Sequence, residues 1–231
     1  MDKTWHEKQY KKLGFKAQRM YPNEELLRFI GSSFFNIDKN KRKKIKILEL
    51  GCGSGANLWM IAKENFDAYG IDNSKTSLKL CSKMLNKWEC NAKIKLADML
   101  ELPYPDRFFD AVFDVLSIIH IPFSKHRILY SEVKRVLKPK GVFFSYQFGE
   151  KSFSFKHGWG KKVEKFTIDR INNPNAPYAG NRYLCFPSEK AVHSLLNKAG
   201  FQSVSIENVQ KTYQNRKVEM QYLSIKATSS V

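Results

Sequence analysis

The sequence predicts an α/β protein, a doubly wound and mostly parallel sheet with helices on both faces. Two observations carry this reading. Short apolar runs such as Ile45–Leu50 and Ala111–Leu116 alternate with segments whose apolar residues recur at helical spacing, and strands separated by helices pair in parallel through right-handed crossovers. The first run passes straight into Gly51-Cys52-Gly53-Ser54-Gly55, where three glycines let the backbone turn tightly and approach a ligand without Cβ obstruction.

In chain order, a helix is expected from about Pro22 to Phe35, started by Asn23 or Tyr21, with Leu26, Leu27, Ile30 and Phe34 as its apolar face. Strand Ile45–Leu50 follows, then a helix from Ser54 to Glu64, strand Ala68–Asp72, a helix from Ser74 to Trp88 and strand Ala92–Ala97. Strand Ala111–Leu116, a helix from Ser124 to Leu137 and strand Val142–Phe148 complete the alternation. The chain closes with a helix from Ser188 to Ala199 and two alternating strands, Ser203–Val209 and Glu219–Ala227. Between them, Glu150 to Pro187 is rich in Gly, Asn, Pro and aromatics, and a connection of that length in a compact domain is expected to be a lid or binding loop.

The strand–glycine turn–helix unit reads as a nucleotide-type cofactor site, because the helix start points its amides at whatever occupies the turn. Glycine spacing alone does not choose the cofactor: Gly51-x-Gly53-x-x-Ala56 also satisfies a nicotinamide dinucleotide fingerprint. Asp72, ending the second strand, suits the ribose hydroxyls of either cofactor.

Four ordered segments resemble the class I S-adenosylmethionine-dependent methyltransferases. They are Glu49-Leu50-Gly51-Cys52-Gly53-Ser54-Gly55, then Ala68-Tyr69-Gly70-Ile71-Asp72-Asn73, then Asp98-Met99-Leu100-Glu101-Leu102-Pro103-Tyr104, and finally Leu137-Lys138-Pro139-Lys140-Gly141, where Lys140 replaces one glycine of the family's turn. The resemblance implies a Rossmann-like, seven-stranded sheet with an antiparallel C-terminal edge hairpin. It implies S-adenosylmethionine as cofactor and S-adenosylhomocysteine as product, with Asp98 meeting the adenine amino group and Met99 packing on the ring. The cofactor-binding set it implies is Glu49, Gly51, Cys52, Gly53, Gly55, Asp72, Asn73, Asp98, Met99, Leu116 and Arg19. Residues 1–37 are expected as a helical extension covering the cofactor site, with Trp5, Tyr10, Phe15, Tyr21 and Arg19 either reaching the ligand or only packing on the domain. Residues 38–231 then form the methyltransferase domain, with the lid inserted at about 150–187.

His120, in Ile118-Ile119-His120-Ile121-Pro122 just past the fourth strand, is the candidate catalytic base, since its ordinary pKa suits proton removal near neutrality. A satisfied structural histidine is the alternative. Tyr146, Gln147, His157, Tyr178 and Arg182 are weaker candidates for acceptor contact.

Composition narrows the partners. Of 231 residues, 42% are hydrophobic and 27% charged, ordinary for a soluble globular protein. No apolar stretch reaches the ~18 residues of a membrane span, and the first residues lack a secretion signal's apolar core, so a cytoplasmic protein without a membrane partner is expected. Cys52, Cys81, Cys90 and Cys185 form no Cys-x-x-Cys pair and the histidines are scattered, so neither a metal nor a disulfide framework is expected. The net charge of +18 keeps a nucleic-acid partner open, yet Lys outnumbers Arg and is dispersed, which does not favour it. The one dense run, Lys39-Asn40-Lys41-Arg42-Lys43-Lys44, reads as a solvated linker.

Enzymes that methylate exocyclic base amines carry Asp/Asn-Pro-Pro-aromatic after strand four, whereas this chain has Val115-Leu116-Ser117-Ile118. The expected function is therefore methyl transfer to oxygen or nitrogen of a small-molecule acceptor. The alternatives are an RNA methyltransferase using the basic surface, a non-catalytic S-adenosylmethionine-binding protein and a nicotinamide dehydrogenase. The sequence leaves the oligomeric state open.

Overall fold

The computed structural model of the chain describes residues 3–230, apart from the side chains of residues 3–5 and Ala17. Positions 1, 2 and 231 of the expected domain bounds, and the side chain of Trp5, lie outside the described residues.

Five parallel strands form the centre of the sheet: β1 (Lys46–Leu50), β2 (Asp67–Asp72), β3 (Lys93–Leu96), β4 (Phe109–Val115) and β5 (Leu137–Phe148). Two C-terminal strands, β9 (Phe201–Tyr213) and β10 (Val218–Ser229), complete an order of β3-β2-β1-β4-β5-β10-β9. The closing hairpin is thus threaded inward: β10 sits between β5 and β9 and runs against both, leaving β9 as the edge. Near-continuous apolar runs in β1 and β4 are what burial on both faces demands; Leu48, Leu50, Phe109 and Phe113 are all fully buried.

Helices cover both faces. Leu26, Ile30, Leu58, Ile61, Cys81 and Leu85 pack on one side, from α2 (Glu24–Phe34), α3 (Leu58–Lys63) and α4 (Lys75–Lys87). Leu129, Val133, Val136, Val192 and Leu196 pack on the other, from α5 (His126–Val136) and α7 (Glu189–Lys198). Asn23 caps α2, accepting the amides of Glu25 and Leu26 at 2.9 and 3.2 Å. Its buried stripe is Leu26, Phe29, Ile30 and Phe34, whereas Leu27 is 42% exposed; one position after Leu26 the helix has turned about 100° away from that stripe.

Four further differences have local causes. The helix after the glycine turn starts at Leu58 rather than Ser54, because Gly53 and Gly55 hold φ of 54° and 86°, outside helical space. Strand β5 begins at Leu137, five residues before the expected Val142, and Lys140 takes φ 64° where a family member has glycine. Residues Lys3–Leu13 form an unexpected helix, α1, with no apolar stripe to announce it. Its Glu7 carboxylate accepts the hydroxyls of Ser74 and Thr76 at the start of α4, which holds that carboxyl down to about 2. The segment after Phe148 carries structure of its own: α6 (Phe153–His157) and a three-stranded antiparallel sheet of β6 (Lys161–Glu164), β7 (Thr167–Asp169) and β8 (Leu184–Cys185).

Candidate functional site

The order in which strands are added reverses between the parallel neighbours β1 and β4, and ligands in such sheets bind beyond the strands' carboxyl ends at that switch. A cavity of about 740 Å³ opens there. It is lined by the glycine turn after β1, the ends of β2 and β4 and the loop after β3, together with α1, Lys16, Gln18, Arg19 and Tyr178–Asn181.

The turn is clasped from two sides. At Gly51, with φ 64°, a Cβ would lie 2.5 Å from Cβ of Ser117, and Ser117 Oγ donates to the Gly51 carbonyl at 2.9 Å. The amide of Gly53 donates to Asp72 Oδ2 at 2.9 Å, while Asp72 Oδ1 accepts the amide of Ser74 at 2.9 Å. Asp72 therefore joins the turn to α4. Burial raises its pKa, and these backbone bonds act against the rise.

Glu49 is 2% exposed. Its Oε1 accepts from Asn57 Nδ2 at 2.7 Å, and its Oε2 is buried with no hydrogen-bond partner among the described residues. Desolvation pushes this carboxyl up to about 8, against the opposing effects of Asn57 and the nearby Arg19 charge. An orphaned buried acceptor beside a cavity is the kind of atom that a cationic or hydrogen-bonding ligand completes.

Asp98 Oδ1 accepts the amide of Leu100 at 3.1 Å, which shapes the loop after β3. That loop is held to α5: Arg135 donates to the carbonyls of Leu102 and Tyr104 at 2.9 and 2.8 Å, and Glu132 accepts the Leu102 amide at 2.8 Å. The sequence reading missed this pair, and no local motif signals it. It also missed Asp114, buried in β4, which accepts the amides of Ser117 and Ile118 at 2.8 and 2.9 Å and the hydroxyl of Ser145 at 3.0 Å. A carboxylate within the apolar run Phe109–Val115 was the available signal. Burial pushes it up to about 7.

His120 lies past β4, its ring 4.3 Å from that of His6 in a T-shaped contact. Burial, with His6 beside it, pushes His120 down to about 3 and keeps it neutral. Its Nδ1 is buried with no hydrogen-bond partner among the described residues.

Of the expected residues, Arg19, Glu49, Gly51, Cys52, Asp72, Asn73, Asp98, Met99, Leu116 and His120 line the cavity together. Gly53 and Gly55 stand behind it; Gly55 lets the turn pack on Cys81, whose Sγ would be 2.9 Å from a Cβ there. Tyr10 and Tyr178 reach the cavity, whereas Phe15 is not among its lining residues and Tyr21, 63% exposed, meets Trp59 and Trp88 edge-on. Tyr146 stacks on Tyr222, Gln147 is buried in the core, His157 packs on Phe153, and Arg182 pairs with Asp169 at 3.0 Å. No group of three or more His, Cys, Asp or Glu among the described residues is placed to hold a metal.

Residues 47–141 match a family model described as a methyltransferase domain. Sterol 24-C-methyltransferase ERG6A of Gibberella zeae is 32% identical over 106 residues, 45% of this chain and 27% of that protein. Phosphoethanolamine N-methyltransferase 2 of Caenorhabditis elegans is 27% identical over 165 residues, 71% of this chain and 34% of that protein. The chain thus spans about a third or less of these curated relatives. The structure of Haemonchus contortus phosphoethanolamine N-methyltransferase 2, in complex with phosphomonomethylethanolamine and S-adenosylhomocysteine, superposes with a TM-score of 0.66 at 17% identity, covering 100% of this chain and 58% of that one. The glycine turn and the Asp72 and Asp98 segments fall inside the matched region, so residues 47–141 carry the methyltransferase-domain match on a Rossmann-like fold that class I S-adenosylmethionine-dependent methyltransferases share.

Proposed function

We propose that this chain binds S-adenosylmethionine in the 740 Å³ cavity and transfers its methyl group to oxygen or nitrogen of a small-molecule acceptor, releasing S-adenosylhomocysteine. One observation carries the reading: Glu49, Asp72 and Asp98, from three separate strand ends, line one cavity with the glycine turn that approaches them. This donor set fits the cofactor. It offers carboxylate acceptors for ribose hydroxyls and an adenine amine, and the buried, unpaired Oε2 of Glu49 faces a ligand that carries positive charge.

When bound, the cofactor supplies a sulfonium-activated methyl carbon whose transfer is an in-line displacement needing little covalent help. The residues of this chain supply alignment. Asp72 and Asp98 hold the nucleoside end and Arg19 and Glu49 the amino-acid end. His6, Gln9, Tyr10 and Tyr178–Asn181 close over the acceptor and exclude water. His120, kept neutral by burial, offers its Nδ1, unpartnered among the described residues, to the acceptor's O–H or N–H as a hydrogen-bond acceptor that orients the lone pair toward carbon. Residues 1–37 act as the cofactor cover and 150–187 as the acceptor lid.

Support for a small acceptor comes from the named relatives, whose names give a sterol and phosphoethanolamine as what they methylate. The test is incubation with methyl-labelled S-adenosylmethionine and a cell extract separated into metabolite, RNA and protein fractions. Label in the metabolite fraction is expected; label that ribonuclease removes would overturn the acceptor class.

A further inference from the structure

Trp159 is 70% exposed and is held that way by its surroundings. It sits between Gly158 and Gly160 with φ 52°, a backbone conformation that costs a non-glycine residue free energy. Neither neighbour admits a side chain: a Cβ at Gly158 would lie 2.2 Å from the Ser154 carbonyl oxygen, and one at Gly160 2.0 Å from that of Arg170. Asn172 and Asn173 tie the turn from below, donating their amides to the Gly158 carbonyl at 2.8 and 3.0 Å, and Asn172 Nδ2 donates to the Trp159 carbonyl at 3.1 Å. The indole is therefore displayed on a braced turn, outside the cavity, on the segment that also contributes Tyr178–Asn181 to it.

Its surroundings are basic. Lys156, Lys161, Lys162, Lys165 and Arg170 are all exposed, and none has an acid partner among the described residues. Lys162 and Lys165 lie over the rings of Phe155 and Phe166. Both acids of this stretch are occupied: Glu164 accepts the amide and hydroxyl of Ser124 at 3.1 and 2.6 Å, and Asp169 pairs with Arg182. Val163 beside them is 42% exposed.

We propose that the braced Trp159 turn and the lysines around it form a docking surface for an anionic lipid bilayer, with the indole seated at headgroup depth. A tryptophan is apolar over most of its surface and polar at one edge, which matches that layer. Dispersed lysines add a non-directional attraction, about fivefold in affinity per cation near an anionic leaflet, and a wedge together with a basic patch supplies the two signals that stable peripheral binding needs. A single-stranded nucleic acid would instead call for several stacking rings and bidentate arginines; here one free indole stands among four lysines and one arginine. That no helix among the described residues is long and apolar enough to cross a membrane is compatible with attachment at its surface.

The test is co-sedimentation of the full chain with vesicles of phosphatidylcholine alone and of phosphatidylcholine with phosphatidylserine, with no methyl donor or acceptor present, so that failure here is separate from failure of the methyltransferase reading. Binding that requires phosphatidylserine and weakens with salt is expected. Trp159→Ala, with fold checked by circular dichroism, should weaken it about tenfold, and Lys161→Glu with Lys162→Glu at least as much. Three results would overturn the proposal: no phosphatidylserine-dependent binding, unchanged binding by both variants, or retention on a single-stranded RNA homopolymer without vesicle binding.

Discussion

Asn57 donates its side-chain amide to Glu49 at 2.7 Å while its own carbonyl oxygen accepts the backbone amide of Asn23 at 3.0 Å. One buried side chain thus fixes the acid at the end of β1 and the cap of α2, so the floor of the cavity and the N-terminal segment share a hinge pin.

The first prediction follows from Glu49, whose carboxyl is pushed up to about 8. The folded chain then holds a proton that the unfolded chain, with a carboxyl near 4.5, has released, so this group's contribution makes stability fall as pH rises between those values. Asp114, at about 7, acts in the same sense. His120 and His126, down at about 3 and 4, oppose this below pH 6.5, where the unfolded chain takes up protons that the folded one refuses. Melting temperature should therefore drop between pH 6.5 and 8, by a Glu49 contribution of about 2 kcal/mol. Scanning fluorimetry should show the drop flattened in Glu49→Gln, and calorimetry should show affinity for the cationic cofactor rising over the same window.

Gly51→Ala should abolish cofactor binding. The alanine would have to hold φ 64° and occupy space 2.5 Å from Ser117 Cβ, a combined penalty of about 1–3 kcal/mol or more in the fold itself. Thermal melting and titration with S-adenosylhomocysteine measure the two parts.

Asp72→Asn keeps one oxygen for two backbone donors, the amides of Gly53 and Ser74, and points an amine at the other. Loss of charge-assisted hydrogen bonds of about 1.5–3 kcal/mol each should weaken the cofactor at least about tenfold. Isothermal titration reads it directly, and an unchanged dissociation constant would remove Asp72 from the site.

Glu7→Ala cuts the attachment of α1 to Ser74 and Thr76. Trypsin should then cleave at Lys8, Lys11 and Lys12 faster than in the parent chain, and KM for the acceptor should rise while global melting changes little. The Glu7 carboxyl titrates at about 2 against an ordinary 4.5, so its stabilisation is complete above 4.5 and disappears as pH falls through 2.

His120→Ala should lower kcat by about 100-fold if this imidazole orients the acceptor's lone pair. Because burial holds His120 at about 3, the pH–rate profile of the parent enzyme should show no histidine limb between pH 5 and 8. A variant with unchanged kcat would assign the residue to packing against His6.

The parts of the site legible in the sequence were those whose backbone demands are local. Gly51, Gly53 and Gly55 all adopt positive φ, and Asp72 lies where a strand must end. Long-range partners left no such mark. Arg42, in a run that reads as solvated charge, is 7% exposed, pairs with Glu64 at 2.6 Å and lies over the rings of Phe35 and Phe66; its acid partner is 22 residues away in sequence, beyond the reach of any local pattern. Helix α1 is held by two hydroxyls of α4 rather than by an apolar stripe, so periodicity could not find it. The lid reads as a loop because its strands are two to four residues long, too short for alternation to register.

The threading of β10 between β5 and β9 also sets an order of events during synthesis. β5 has no neighbour on its outer side, and β9 nothing to pair with, until residues 218–229 have cleared the ribosome. Until then the row of open backbone groups along Phe143–Phe148 is exposed, the kind of edge on which nascent chains associate. Truncation or a bulky fusion inside this last strand would leave the protein in that condition permanently.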